Sequence, residues 1–187
     1  MIANSNIGVV HGRFQPLHND HLRYILSALK KCDFLFIGIT NPDPTQIEVN
    51  ENDPHRSELS ANPFAYYERS LMIKNTLISQ NIDPKVFVIV PFPINYPERI
   101  KYYSPLSATY YITIYDDWGR YKKNLLEGLG LKVNVLWDRK EKYVSGTNIR
   151  KLMKNNGEWQ QLVPEAVYNY IKEHNLVSER LKKTGNK

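Results

Sequence analysis

Two histidines three residues apart, His18 and His21, follow the segment Gly12-Arg13-Phe14-Gln15-Pro16, and Ser145-Gly146-Thr147 with Arg150 lies far along the chain. On the first turn of a helix, two imidazoles at that spacing share one face. Their ring N–H groups can hold phosphate oxygens and offset the charge that builds up when an α-phosphate is attacked, with no covalent intermediate. Gly12 lets backbone come close to a phosphate, Arg13 adds a cation to the catalytic set, and Phe14 and Gln15 join Gly12 as nucleotide-binding candidates. In the second cluster the hydroxyls of Ser145 and Thr147, with Gly146 between them, open a helix whose free N–H groups favour an anion. Arg150, one turn later, points back toward that same helix start. A leaving pyrophosphate would lie there, with the histidines across the transferred phosphorus. Each cluster alone has an ordinary explanation, since histidines satisfy cores and Ser or Thr caps helices. Their joint occurrence points to chemistry at a phosphorus.

The elements around these residues explain how they could meet. Ile7 to Val10 reads as a buried strand that ends just before Gly12 and Pro16. Leu22, Ile25, Leu26 and Leu29 recur at helical spacing up to about Lys31, and Phe34 to Ile39 is a second buried strand, closed by Thr40-Asn41-Pro42-Asp43-Pro44. Strand, crossover helix and strand at this spacing make a βαβ unit, so the sheet is expected to be parallel. Gln46 to Pro63, carrying Asp53-Pro54-His55-Arg56, lacks periodicity and reads as a long polar loop. A helix from Ala65 to Gln80 should turn Leu71, Met72, Leu77 and Ile78 inward. Strands follow at Val86 to Val90, Tyr110 to Tyr115 and Val133 to Trp137, with a helix from Gly119 to Leu126 between the last two. Ile149, Leu152 and Met153 mark another helix, stopped at Asn156-Gly157, and an amphipathic helix runs from Pro164 to about His174. The expected fold is therefore α/β, a Rossmann-like doubly wound parallel sheet in a single domain with a C-terminal helical segment. Ligand belongs at the carboxyl ends of its strands. Residues 1–178 form the expected domain, and 179–187 a basic, frayed tail.

Composition narrows the partners. The chain has 187 residues, enough for one well-buried core, and its formal net charge of +6 suits a polyanionic ligand. Charge alone suits nucleic acid equally, but no helix carries cations along one face. Apolar runs are strand-sized, so no membrane span is expected, and the N-terminal residues show no secretion signal. A lone cysteine, Cys32, fits a reducing cytoplasm. Without cysteine pairs a structural zinc site is not expected.

Gly-Arg-Phe-Gln-Pro-x-His-x-x-His, then Asn62-Pro63-Phe64 with Glu68-Arg69, then Ser-Gly-Thr-x-Ile-Arg, resembles the nucleotidyltransferase superfamily of the H-x-G-H type. Within it the chain resembles the archaeal-type nicotinamide mononucleotide adenylyltransferases. Trp159 to Ile171, with Leu162-Val163-Pro164 and Val167, resembles that family's C-terminal helix. The resemblance implies a nucleotidyl group moved from an NTP, ATP or CTP, to a small phosphorylated acceptor, with release of pyrophosphate and help from Mg²⁺. It implies that His18 and His21 contact the triphosphate while Ser145, Thr147 and Arg150 hold its outer phosphates. Asn41, Arg69, Asp116 and Trp118 are the candidates for reading the base or the acceptor. Asp20 stands where the family has glycine, which is tolerable if its carboxylate turns aside to cap the helix. Tyr115-Asp116-Asp117-Trp118 replaces the family's acceptor-side turn, so those carboxylates either recognise substrate or organise the turn. Adenylyl transfer to a nicotinamide-type mononucleotide is the first expectation. Cytidylyl transfer to a small phosphomonoester or phosphonate is the second, and a non-catalytic nucleotide-binding regulator is the alternative of another class. A homo-oligomer is compatible with all three.

Overall fold

The computed structural model describes residues 6–43, 58–140 and 143–182. The chain alternates strands and helices: β1 (Ile7–Gly12), α1 (Asn19–Leu29), β2 (Phe34–Ile39), α2 (Tyr66–Ser79), β3 (Phe87–Pro91), β4 (Thr109–Ile114), α3 (Asp117–Gly128), β5 (Lys132–Asp138), α4 (Gly146–Lys154) and α5 (Glu165–Glu173). All five strands are parallel, in the order β3-β2-β1-β4-β5. The chain thus winds outward from β1 to β3, returns across the sheet to β4 and winds outward again. The reversal falls between β1 and β4.

Helices cover both faces because the strands are apolar on both. On one face Val10, Leu35, Ile37 and Ile39 pack with Tyr24, Ile25 and Ala28 of α1, Met72, Ile73 and Leu77 of α2, Ile149 and Met153 of α4, and Val167 and Ile171 of α5. On the other, Val9, Tyr110, Ile112 and Ile114 pack with Phe92, Ile100 and Leu126 of α3. These are the two layers of a doubly wound sheet.

The inward face of α2 differs from the expectation in half its members. Met72 and Leu77 are buried, whereas Leu71 and Ile78 are exposed. The buried stripe runs Arg69, Met72, Ile73, Thr76, Leu77, the i, i+3, i+4 series, and includes an arginine and a threonine that a hydrophobicity count passes over. The boundary at 178 also moves. Val177–Lys182 form a π-helical turn, Leu181 is buried, and Arg180 donates from Nε and Nη2 to Glu68 Oε1 at 3.1 and 2.8 Å. Glu68 in turn accepts from the Ala65 N–H at 2.7 Å, so this ion pair closes the start of α2. Residues 179–182 are therefore docked on the domain. Gln46 to Ser57, with Asp53-Pro54-His55-Arg56, and residues 183–187 lie outside the described residues.

Candidate active site

A crevice opens where β1 and β4 part. These strands pair only at Gly8↔Thr109 and Val9↔Tyr110, while β1 stays paired with β2 as far as Gly12↔Ile39. Past Val9 the gap is bridged by a side chain: Tyr24 of α1 accepts from the His11 N–H at 3.3 Å and donates to the Tyr111 carbonyl. Burial pushes the Tyr24 phenol well up, so it remains a donor there. The resulting cavity, about 200 Å³, is walled by the β1–α1 turn, the end of β4, the first turns of α3 and the start of α4. This is the switch point at which doubly wound sheets hold ligands.

His18 and His21 share a wall of this cavity, as their spacing predicts. His18 is the N-cap of α1, with an extended backbone, and its Nδ1 accepts from the His21 N–H at 3.4 Å. The two rings stack with centroids 3.6 Å apart and planes at 18°. Two imidazolium rings so placed would repel, and burial, then His18, Arg13 and Lys122, hold His21 well below the usual histidine range. His21 is therefore neutral near pH 7 and offers an N–H dipole rather than a charge. Phe14, fully buried at φ 51°, sets its ring edge-on to His21 at 4.9 Å. Gly12 matters to this ring, because a Cβ on it would meet the Phe14 ring at 3.0 Å.

The remaining residues of the first cluster are tied to distant backbone. The Gln15 amide both donates to the Phe64 carbonyl and accepts from the Phe64 N–H, each at 2.9 Å. Arg150 is buried, donates from Nη1 to the Gln15 carbonyl at 2.7 Å and from Nη2 to Thr147 Oγ1 at 3.3 Å, and burial lowers its pKa to about 10. It thus points back to the helix start as expected, and its cation also joins α4 to the β1–α1 turn. Gly146 permits that junction: a Cβ there would lie 2.9 Å from the Gln15 carbonyl oxygen. Ser145 is the N-cap of α4 and accepts from the Asn148 N–H at 3.2 Å. The Gly146 and Thr147 N–H groups belong to the first turn, which has no intrahelical carbonyl to meet. Asp20 does turn aside, but not onto its own helix. It accepts from the Tyr143 and Val144 N–H groups at 3.0 and 3.2 Å, clamping α1 to the loop that leads into α4.

Two of the acceptor-side candidates stand elsewhere. Arg69 is 2% exposed and donates to the carbonyls of Arg13, Thr40 and Asn41 at 2.9, 2.8 and 2.7 Å. It staples the turns after β1 and β2 to α2 and does not line the crevice. Asn41 lines a separate, smaller hollow beside Pro93, Tyr96 and Arg99. Asp116 and Trp118, by contrast, do line the crevice. Asp116 is the N-cap of α3, accepting from the Gly119 N–H at 2.9 Å, and Trp118 stacks on Tyr121 at 5.3 Å. Sequence reasoning missed Lys122 and His11, which also line it. Lys122 was detectable one helical turn after Trp118. His11 was detectable as the single polar residue ending an apolar run.

This geometry agrees with three comparisons. The cytidylyltransferase-like family matches residues 9–152. The chain belongs to the cytidylyltransferase-like family. It is accordingly a nucleotidyltransferase. A phosphonoformate cytidylyltransferase of Streptomyces viridochromogenes is 43% identical over 166 residues, covering 89% of this chain and 90% of that one. A nicotinamide-nucleotide adenylyltransferase of Methanococcus aeolicus is 32% identical over 167 residues, covering 88% and 87%. The bifunctional NMN adenylyltransferase/ADP ribose pyrophosphatase of Francisella tularensis superposes with a TM-score of 0.70 at 20% identity, over 97% of this chain and 54% of that one. That likeness speaks for the fold. No described helix is long and apolar enough to cross a membrane.

Proposed function

We propose that the protein moves a cytidylyl group from CTP to a small phosphonate or phosphate acid, releasing pyrophosphate. The observation that carries this reading is the 43% identity to a phosphonoformate cytidylyltransferase, spread over 89% of this chain and 90% of that one, against 32% to a nicotinamide-nucleotide adenylyltransferase. The crevice at the β1/β4 reversal, lined by His18, His21, Ser145, Thr147 and Arg150, supports nucleotidyl transfer there.

In this reading an acceptor oxygen attacks the α-phosphorus of CTP. A P–O bond forms to the acceptor, the bond from the α-phosphorus to the bridging oxygen breaks, and that oxygen leaves with pyrophosphate. His18 and His21 donate ring N–H groups to the α-phosphate oxygens as charge gathers on them. Because His21 is neutral, cationic charge comes from Arg13 and Arg150. The Ser145, Gly146 and Thr147 end of α4 holds the departing β- and γ-phosphates. Mg²⁺ fits as a companion of the triphosphate. No group of three or more His, Cys, Asp or Glu among the described residues could hold a metal, and Asp20 and Asp116 already accept backbone N–H groups. Bound phosphate oxygens and water would hold the ion, and it supplies charge neutralisation. The Cys32 thiol, pushed up to about 11 by burial and donating to the Ala28 carbonyl, suits a reducing cytoplasm.

Adenylyl transfer to nicotinamide mononucleotide is the second reading, favoured by the 32% identity to an archaeal enzyme of that name. Incubating the protein with CTP or ATP and either phosphonoformate or nicotinamide mononucleotide, and measuring pyrophosphate, separates the two. CTP with phosphonoformate should run at least tenfold faster than ATP with the mononucleotide. The reverse ratio would install the second reading.

A further inference from the structure

His11 is next to last in β1, two residues beyond Val9 and on the same side, so its side chain is on the α3 face of the sheet. That is the face opposite the one where α1 and α4 pack. The ring is 4% exposed and stacks on Phe92 with centroids 4.6 Å apart and planes at 10°. Both ring nitrogens are buried without a hydrogen-bond partner among the described residues, and His11 is one of the residues around the crevice. A buried polar group left without partners costs about 1–3 kcal/mol. A phenylalanine would pack on Phe92 equally well at no such cost, so packing does not account for an imidazole here. Burial, and Lys122 beside it, keep the ring neutral. It therefore presents one N–H donor next to an ammonium, an arrangement suited to an acid oxygen whose charge the lysine balances.

We propose that His11 is the residue that receives the acceptor, donating a ring N–H to an oxygen of its phosphonate or phosphate group with Lys122 as the neighbouring cation. The inference rests on the reading above, in which the α1 and α4 face holds the triphosphate and leaves the α3 face for the acceptor. Stacking on Phe92 holds the ring plane, so the donor direction is set before the acceptor arrives. That makes the position one of recognition and orientation: it selects a compact, doubly charged acid group and turns it toward the α-phosphorus. His18 and His21 act on the other substrate. The crevice thus holds three histidines with divided duties, two for the nucleotide and one for the acceptor.

The test uses steady-state kinetics of the full chain and its variants with whichever NTP and acceptor the wild type turns over. His11→Phe should raise the acceptor KM roughly tenfold or more while the NTP KM moves less than twofold, because one donor to a charged oxygen is lost. Melting temperature should hold or rise, since an unpartnered polar group has gone. His11→Gln and His11→Asn place a side-chain amide near Nε2 and Nδ1 respectively. The one that restores the acceptor KM identifies the donating nitrogen. Equal losses for both substrates, or an unchanged acceptor KM, would overturn the proposal and leave His11 as a packed, hydrated core residue. A second measurement stands apart from turnover. In protein carrying ¹⁵N-histidine, the His11 ring resonances should shift on adding phosphonoformate, inorganic phosphate or nicotinamide mononucleotide, and not on adding CTP or ATP. Failure of every acceptor to release pyrophosphate would defeat the functional reading alone. Silence of the His11 resonances toward all three acids, with the NTP still shifting His18 and His21, would defeat this one.

Discussion

The two walls of the crevice are built by different means. On the α1 and α4 wall, side chains reach across the sequence to backbone: Arg150 to Gln15 spans 135 residues, Asp20 to Val144 spans 124, Arg69 to Arg13 spans 56 and Gln15 to Phe64 spans 49. Where β4 runs into α3 the ties are shorter, although Tyr24 of α1 also reaches the Tyr111 carbonyl of β4 across 87 residues. Asp116 caps Gly119 three residues on, Trp118 stacks on Tyr121, and Trp137 donates to the Tyr115 hydroxyl across neighbouring strands at 2.7 Å. The first wall is pre-set by the whole fold, as a site that must meet developing phosphate charge without reorganising needs to be. The second is set by one turn and can change its side chains without dismantling the domain. On the proposed reading, the triphosphate lies against the wall that the whole fold pre-sets and the acceptor against the wall whose side chains can change most easily.

The largest expected effect comes from breaking the first wall at its staple. Arg69→Met removes the donors of three turn carbonyls and should cost at least about 3 kcal/mol, read as a loss of roughly six degrees or more in Tm. A shift of under three degrees would show that the turns hold without it. Next in size, His21→Ala should lower kcat roughly 10²-fold with a smaller change in NTP KM and little change in stability. Near-wild-type turnover would remove the catalytic assignment.

Asp20→Ala releases the Tyr143 and Val144 N–H groups and lets the α4 end drift. It should cost about 1–2 kcal/mol and raise the NTP KM several-fold, leaving the acceptor KM alone. If the acceptor KM moves instead, the clamp serves the second wall. Asp116→Asn sharpens the comparison from the other side. Asparagine caps as well as aspartate, so Tm should stay within about two degrees while the preference between CTP and ATP, or between acceptors, changes. A large fall in Tm with the preference intact would return Asp116 to a structural role.

The smallest effect is on stability against pH. His11 and His21 both sit well below the usual histidine value, chiefly through burial. The unfolded chain, with ordinary histidines near pH 6.5, then binds more protons than the folded one as pH falls below that value. Stability is fully present above about pH 6.5 and should decline as pH drops toward the folded values. His11→Phe should make a plot of Tm between pH 7.5 and 5 less steep, and an identical slope would mean His11 takes no part.

Sequence and structure agree most where the signal is local. Apolar runs such as Val9-Val10 and Phe34–Ile39 declared buried parallel strands, and Ser145-Gly146-Thr147 declared a helix start, because strand burial and capping depend on neighbours within a few residues. The spacing of His18 and His21 likewise determined that they share a face. What only tertiary structure decided is which polar groups are left over once distant backbone has been served. Arg69 reads as a candidate for binding the base or the acceptor in the sequence and is a buried staple. Asp20 reads as a cap for its own helix and instead holds the loop before α4. Leu71 and Ile78 read as core and face solvent. In the other direction, His11, just past the strand expected at Ile7 to Val10, is at the crevice with a ring that has no hydrogen-bond partner among the described residues. Periodicity records what a side chain's neighbours prefer. It carries no record of the carbonyl 56 or the N–H 124 residues away that a folded chain must satisfy, and here those long-range bonds separate the residues that build the site from those left to meet substrate.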